Sequence, residues 1–235
     1  MSSALSPRPD QIAELTRGLA LPLQAIDNLH LEIIAECVAQ AFAAVRASAL
    51  EVIASGDETE VTALLQARLN AMIEDQPFWG QLVASVVRGA ESLSFDGTHL
   101  EKRPDLSIHL TARSQRFPLI AEAKIIDATK GEALYCSQGV RRFLDGEYGW
   151  GGREAIMIAY VRDKTSIASR LSPYLATPVN TATYVVQTGP DPLTPSMCDA
   201  ARSRHGRTFL YAHTLLPTND PGPISLWHLW LDATT

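Results

Sequence analysis

Residues Leu119–Ile126 read LIAEAKII, an apolar stretch that carries two opposite charges in its middle. Such a short apolar run favours a β-strand, and the side chains of a strand alternate between its two faces. This alternation puts Glu122 and Lys124 on one face, between Ile120 and Ile126, and leaves only apolar side chains on the other face. Because an unpaired charge among apolar neighbours is costly, we expect both charged groups to have partners.

The segment before this stretch is predicted to be the other strand of a hairpin. Apolar and polar residues alternate over 106–110 (LSIHL), which is the pattern of a half-buried strand, and residues 113–116 (RSQR) read as the turn. Pro104-Asp105 opens this strand. Neighbouring strands lie about 4.8 Å apart, so a suitable register brings Asp105 close to Glu122.

The rest of the chain changes from helical to extended patterns near residue 90. Residues 9–75 are rich in Ala, Leu and Glu, which are good helix formers, and Asp57 with Glu60 three positions later has the capping-box pattern of a helix start. Beyond this region we predict helices over 131–144 and 165–175, strands over 155–161, 183–187, 209–215 and 225–231, and polar loops or turns over 188–195 and 203–207. Residues 83–91 fit either a helix or a strand, and their valines favour the strand. This order predicts an α/β fold, with an N-terminal helical segment over 1–56 and a sheet-containing core over 57–235.

The composition is that of a folded, acidic protein. The 235 residues are 46% hydrophobic and 20% charged, which is compatible with a packed core. The net charge is −6, which argues against a protein that coats nucleic acid with its whole surface. Residues 101–170 nevertheless carry 12 basic and 9 acidic side chains, so a local basic groove is compatible with the overall charge.

Several classes of protein have no support in the sequence. Cys37, Cys136 and Cys198 form no CxxC pair, which argues against a zinc knuckle or a disulfide framework and favours reduced thiols in the cytoplasm. We expect neither a signal peptide nor a membrane span, since no stretch approaches the roughly 20 apolar residues that a span needs. The motifs HExxH and GxSxG are absent from the sequence, so a zinc protease or an elbow-type serine hydrolase is not indicated.

Acidic side chains are predicted to converge near Lys124. Asp105 and Glu122, on neighbouring strands, are suited to share one divalent cation, and Glu60 in the first turn of its helix is a further candidate. The alternative is an ordinary ion pair between Glu122 and Lys124 on a solvated strand face. On that interpretation, Glu60 stands at the helix start because the helix dipole favours an acid there.

These residues resemble the pattern of the PD-(D/E)xK nuclease superfamily. The pattern is a Pro-Asp pair, a gap, and an acid-x-Lys triplet on the next strand, after a helix that often contributes another acid. Here it corresponds to Pro104-Asp105, Glu122-Ala123-Lys124 and Glu60, and the resemblance covers roughly residues 58–187. It implies a restriction-endonuclease-like fold, in which helices flank a mixed central sheet.

The resemblance also implies an activity, namely hydrolysis of nucleic-acid phosphodiester bonds, with DNA preferred to RNA as the substrate. Asp105 and Glu122 would hold Mg²⁺ or Mn²⁺, with the Ala123 carbonyl as a third ligand. Glu60 would bind a second metal ion or a metal-bound water molecule. Lys124 would orient the attacking water molecule or counter the charge that develops on the phosphate.

Partners of the chain can be predicted only in outline. On the helix after the acid-x-Lys strand, Gln138, Arg141 and Arg142 are candidate phosphate contacts, or alternatively a solvated helix face. The Ala- and Leu-rich N-terminal helices are suited to a homodimer or a partner subunit. Two other functions stay open: a catalytically inactive nuclease-fold protein that binds nucleic acid or serves in an assembly, and an interaction protein that binds no nucleic acid.

Overall fold

A computed structural model describes residues 9–97, 102–194, 197–211 and 219–234. Its strands are β1 (Val83–Arg88), β2 (Leu106–Leu110), β3 (Leu119–Ile126), β4 (Glu154–Val161), β5 (Val186–Pro192), β6 (Asp199–His205) and β7 (Ile224–Asp232). Its α-helices are α1 (Pro9–Thr16), α2 (Asn28–Ser48), α3 (Leu50–Ser55), α4 (Glu58–Asp75), α5 (Pro77–Leu82), α6 (Glu132–Tyr135), α7 (Arg141–Leu144), α8 (Ser172–Ala176) and α9 (Pro178–Thr183). Two π-helical turns, Cys136–Val140 and Ile167–Leu171, join α6 to α7 and precede α8.

The strands form one mixed sheet in the order β1-β2-β3-β4-β7-β6-β5. The central strands β3, β4 and β7 run parallel to one another, and antiparallel strands complete the sheet on both sides. All eight residues of β4 are buried, as expected for a parallel strand that is covered on both faces. The predicted α/β fold, with helices on a central sheet, is therefore confirmed.

Helices cover both faces of the sheet. Apolar side chains of α2 and α4 pack against one face in a single core cluster, which includes Ile34 and Leu65. The helical segments after β3 and β4 cover the other face, which includes Ile120 and Ile126 of β3. The two sides of β3 thus lie in different core layers, and Glu122 and Lys124 belong to the same side as Ile120.

The predicted boundary at residue 56 coincides with the turn between α3 and α4. The apolar core is nevertheless continuous across this boundary, because α2 packs in the same cluster as α4 and the sheet. In the described part of the chain, α2 is also the one helix that is long and apolar enough to cross a membrane. Half of its apolar window is buried inside the protein, which makes length and composition weak evidence for a membrane span.

The predicted strand and loop over 183–195 are wrong in their positions. Residues up to Thr183 belong to α9, and the strand runs from Val186 to Pro192, through most of the predicted loop. β5 is an edge strand, where proline is tolerated because one side of the strand needs no hydrogen-bonding partner. Its register with β6 shifts twice, as expected for a strand with this composition.

The predicted turn over 203–207 is also wrong in its first half, since β6 continues to His205. The sequence of β6, DAARSRH, lacks an apolar pattern because two of its buried residues, Ser203 and His205, are polar. Residues 209–211 form no strand, and the remainder of the strand predicted over 209–215 lies outside the described residues.

Candidate active site

The hairpin of β2 and β3 brings Asp105 next to the acid-x-Lys triplet. Leu106 pairs with Ala121, so Asp105 stands one residue before the paired segment, opposite Glu122. Its carboxylate oxygen Oδ2 accepts a hydrogen bond of 2.8 Å from the backbone N–H of Ala123. The other oxygen, Oδ1, accepts none from any residue that the structure describes.

Lys124 lies at the centre of three carboxylates. Its Nζ atom donates hydrogen bonds of 2.9 Å to Oε1 of Glu122 and 2.9 Å to Oε1 of Glu58, and one of 2.6 Å to the Ala123 carbonyl. Oδ2 of Asp105 lies 3.8 Å from the same nitrogen. The lysine side chain is only 8% exposed, so its ammonium group has exchanged water for carboxylate and carbonyl oxygens.

Glu122 is held in place by two further side chains. Tyr148 donates a hydrogen bond of 2.6 Å to Oε2, and Nη1 of Arg142 donates one of 2.8 Å to Oε1. Arg142 also donates to the hydroxyl group of Tyr148 at 2.6 Å. Because Glu122 is 1% exposed, these bonds compensate for most of the cost of burying its charge.

We call these six residues, Glu58, Asp105, Glu122, Lys124, Arg142 and Tyr148, the acidic cluster. Three carboxylates face two cationic side chains, so the cluster carries one negative charge in excess. Burial, followed by the repulsion of Glu122, raises the pKa of Asp105 to about 6, although Lys124, the Ala123 N–H and Arg142 act against this. Burial alone would lower the pKa of Lys124, but the neighbouring carboxylates more than offset it and raise this pKa.

The helix α4 contributes Glu58 to the cluster, not Glu60. Glu60 is exposed, and its carboxylate accepts a hydrogen bond of 2.8 Å from the backbone N–H of Asp57, as half of the capping box. Glu58, two residues earlier, points to β3, where Oε1 binds Lys124 and Oε2 accepts a hydrogen bond of 3.3 Å from the Ile125 N–H. The position predicted for Glu60 beside Asp105 and Glu122 is thus occupied by Glu58.

The residues proposed to contact phosphates have three different surroundings. Gln138 is exposed on the first π-helical turn. Arg141 forms an ion pair of 3.0 Å with Asp145 and donates a hydrogen bond to the Thr183 carbonyl. Arg142 is turned inward and binds Glu122, so it supports the cluster from within the protein.

Gly139 allows the π-helical turn to lie directly on the sheet. A Cβ atom at this position would collide with the side chain of Met157 on β4 and would lie 3.8 Å from Cγ of Glu122. Only glycine therefore fits here without displacement of its neighbours. The close approach brings Arg142, one helical turn beyond the contact, within reach of Glu122.

A comparison of the chain with protein-family models, with curated proteins and with solved structures gives no match.

The donor atoms of the acidic cluster are suited to a divalent metal ion. Mg²⁺ prefers oxygen ligands. The cluster offers carboxylate oxygens, an excess negative charge and, in Asp105, a carboxylate that is 27% exposed. Within the described ranges, no group of three or more His, Cys, Asp and Glu side chains has the arrangement of a formed metal site. The carboxylates are instead organised around the ammonium group of Lys124.

A second polar cluster lies on the same face of the sheet. It consists of Tyr135, Ser203, His205 and His228, which are all inaccessible to solvent, and we call it the histidine cluster. The hydroxyl oxygen of Ser203 lies 2.7 Å from Nε2 of both histidines, and Tyr135 lies 2.8 Å from Nδ1 of His228. His228 is thus a buried histidine with a partner at each ring nitrogen.

Proposed function

We propose that the chain is a metal-dependent nuclease with a restriction-endonuclease-like fold, which hydrolyses phosphodiester bonds of nucleic acid, preferably DNA. The observation that carries the proposal is the convergence of Asp105, Glu122 and Lys124 from two adjacent strands. Nζ of Lys124 lies 2.9 Å from Glu122 and 3.8 Å from Asp105. A third carboxylate, that of Glu58, reaches the same point from a helix.

Asp105, Glu122 and the carbonyl group of Ala123 would hold Mg²⁺ or Mn²⁺. When bound, such an ion lowers the pKa of water and stabilises the negative charge that develops on a phosphate group. We assign to Glu58 the supporting role that the sequence pattern gave to Glu60, because the carboxylate of Glu58 accepts a hydrogen bond from the ammonium group of Lys124.

The other residues of the cluster have roles that follow from their contacts. Lys124 carries a positive charge at the centre of the carboxylates. Its three N–H groups already donate to Glu122, Glu58 and the Ala123 carbonyl group. It would donate to a phosphate oxygen or to the attacking water molecule in exchange for one of these acceptors. Arg142 and Tyr148 are positioning residues, because they bind both oxygens of Glu122 and fix its side chain. Fixed donors and acceptors of this kind avoid reorganisation during the reaction.

Cleavage assays with matched variants test this proposal. Plasmid and single-stranded DNA are incubated with the chain in Mg²⁺, Mn²⁺ or EDTA. We expect cleavage with either metal ion and none in EDTA, and we expect Asp105→Asn to reduce it by about a hundredfold or more. Asn at position 105 retains an oxygen for the Ala123 N–H and relieves the repulsion with Glu122, so the variant should remain folded.

The control variant is Glu60→Gln, which removes one acid from the first turn of α4 without touching the cluster. It should cleave like the wild type. Circular dichroism and a thermal melt establish that both variants are folded. Cleavage by Asp105→Asn at the rate of the wild type would refute the assignment of this site.

A second candidate function is favoured by the position of Lys124. Its ammonium group already bridges Glu122 and Glu58, so these two carboxylates share a cation without any metal ion. We propose as the alternative a catalytically inactive protein of this fold, which binds nucleic acid or serves in an assembly. Binding of DNA in a gel-shift assay, without cleavage in either metal ion, would favour this alternative.

The proposal also covers the phosphate contacts, the location and the oligomeric state of the protein. Gln138 and Arg141 are the proposed phosphate contacts beside the cluster, since Arg142 is engaged with Glu122. We propose a cytoplasmic protein that forms a homodimer or binds a partner subunit through its N-terminal helices. Light scattering of the purified chain over a range of concentrations tests the homodimer, and a monomer throughout would contradict it.

A further inference from the structure

A polar cavity of about 480 Å³ lies on the sheet face that α2 covers. Its floor comes from three adjacent strands, on which Glu154, Ser225 and Arg204 form one row of paired residues. The next row adds Trp227 and Arg202. Glu122 points to the opposite face of the sheet, so this cavity is separate from the acidic cluster.

Three arginines, Arg153, Arg202 and Arg204, line this cavity. Arg204 is exposed and has no hydrogen bond or ion pair with any residue in the described part of the chain. Arg202 donates one hydrogen bond of 3.3 Å to the side-chain oxygen of Asn28, and Arg153 donates one of 3.1 Å to the Leu23 carbonyl. Both of these acceptors are neutral, so the two bonds themselves compensate neither charge. The one described carboxylate whose pKa the charge of Arg153 lowers is that of Glu154, which Arg113 and Arg207 also approach.

The two acidic residues of the cavity have other partners. Glu154 is 8% exposed, accepts a hydrogen bond of 3.3 Å from the Ile26 N–H and lies 3.9 Å from Arg113. Asp27 accepts a hydrogen bond of 2.8 Å from the Leu29 N–H as the N-cap of α2. These two acids are outnumbered by the three arginines, and Arg113 adds a further positive charge beside Glu154.

Two further features increase the positive potential. The 21-residue helix α2 begins at the cavity, and the start of a helix carries a partial positive charge. Arg207 is also close to Glu154 and Arg153, and burial, together with the charge of Arg153, lowers its pKa to about 10. On a chain with a net charge of −6, this is a local concentration of positive charge.

We propose that this cavity binds a phosphate group, carried either by a free nucleotide or by the end of a nucleic-acid strand. The planar fork of a guanidinium group matches two phosphate oxygens at once, and three such groups suit a ligand with two or more negative charges. The hydroxyl group of Ser225, between the arginines and Glu154, adds a neutral donor. The site lies beyond the proposed nuclease centre and does not depend on it.

Calorimetric titration of the full chain tests this site, with pyrophosphate as the probe and EDTA present to exclude metal ions. We expect binding by the wild type and a loss of affinity of about tenfold in each of Arg204→Gln and Arg202→Gln. The control is Arg88→Gln, which removes an exposed arginine from β1 at the opposite edge of the sheet, and it should bind like the wild type. Thermal melts verify that the three variants are folded.

Two oligonucleotides of one sequence, with and without a 5′-phosphate, distinguish the sources of the phosphate group. A preference for the phosphorylated strand that is lost in Arg204→Gln identifies the end of a strand as the ligand. Binding of pyrophosphate without such a preference identifies a free nucleotide. The proposal is overturned if a large excess of pyrophosphate gives no binding, or if Arg88→Gln weakens binding as much as Arg204→Gln. Asp105→Asn should leave pyrophosphate binding unchanged, which separates this site from the nuclease centre.

Discussion

The acidic cluster and the histidine cluster lie on the same face of the sheet, yet they accommodate buried polar groups in opposite ways. The acidic cluster consists largely of charged groups and is open on one side, where Asp105 and Glu58 are 27% and 32% exposed. The histidine cluster is closed to solvent, and burial lowers the pKa values of both imidazoles, that of His228 to about 3. At neutral pH it therefore contains no charge.

The hydrogen bonds of the histidine cluster have only one consistent direction. The carbonyl group of Tyr184 can only accept, so Nδ1 of His205 donates to it and Nε2 accepts from Ser203. Ser203 then accepts from Nε2 of His228, whose Nδ1 accepts from Tyr135. Every ring nitrogen has one partner, which is what a purely structural network requires. The acidic cluster, by contrast, retains an uncompensated charge and an accessible carboxylate.

The largest effect on stability is expected from Lys124→Met. This variant leaves Glu122 and two further carboxylates without their shared cation, and loss of one partner of a buried ion pair costs about 3–5 kcal/mol. Urea denaturation at pH 7 measures the free energy of unfolding. The control, Lys130→Met, removes an exposed lysine and should change it by less than about 0.5 kcal/mol. Equal stability of both variants would mean that the carboxylates do not share the lysine.

A smaller loss is expected from Ser203→Ala in the histidine cluster. Nε2 of both histidines then loses its partner, and each unsatisfied buried group costs about 1–3 kcal/mol, so we expect roughly 3 kcal/mol in total. The exposed Ser137→Ala provides the control in the same denaturation experiment. Any nuclease activity per folded molecule should be unchanged, and a selective loss of activity would show that the clusters are not functionally separate.

The pH dependence of stability distinguishes the two clusters by its sign. A histidine in the unfolded chain takes up a proton near pH 6.5, but His228 in the folded chain does so only near pH 3. The contribution of His228 to the free energy of unfolding is therefore complete above pH 6.5 and declines as the pH falls below that value. This amounts to about 2 kcal/mol between pH 7 and pH 5. Asp105 acts in the opposite direction, because its raised pKa lets the folded chain bind a proton that the unfolded chain does not bind.

Urea denaturation in EDTA at pH 7 and pH 5 measures how the free energy of unfolding changes with pH, which is the sum of the opposing contributions of His228 and Asp105. Since Asp105→Asn removes the opposing contribution, this variant should lose stability more steeply than the wild type as the pH falls. Identical pH dependence of the two proteins would show that the pKa of Asp105 is not raised.

The smallest effect is expected from Glu60→Gln. A neutral amide can still accept the hydrogen bond from the Asp57 N–H, so only the charge at the helix start is lost, which is worth about 0.3–1 kcal/mol. The matched variant Glu58→Gln removes the same charge from the same helical turn but also a partner of Lys124. It should reduce DNA cleavage, whereas Glu60→Gln should not. Equal cleavage by the two variants would remove Glu58 from the proposed site.

The sequence is sufficient to predict the strands from β1 to β4 and the hairpin that brings Asp105 to Glu122, because these depend on local apolar patterns. It is not sufficient for β6, whose buried residues include Ser203 and His205. The role of Glu58 is not predicted from apolar patterns, although the sequence contains a signal for it. The capping box uses the carboxylate of Glu60, which leaves Glu58 as the acid of that turn that is available for another contact. The inward orientation of Arg142 cannot be predicted, since it depends on the π-helical turn and on the distant Tyr148.

The same row of paired residues connects the two clusters across the sheet. Glu122 pairs with Met157, and Met157 pairs with His228. Gly139 allows the helical segment to approach this methionine closely, and Met157 stands between Glu122 and His228 in the row. Met157 thus places an apolar side chain between an ionised carboxylate and a neutral chain of hydrogen bonds, so that a change of charge at one end of the row need not reorient the hydrogen bonds at the other.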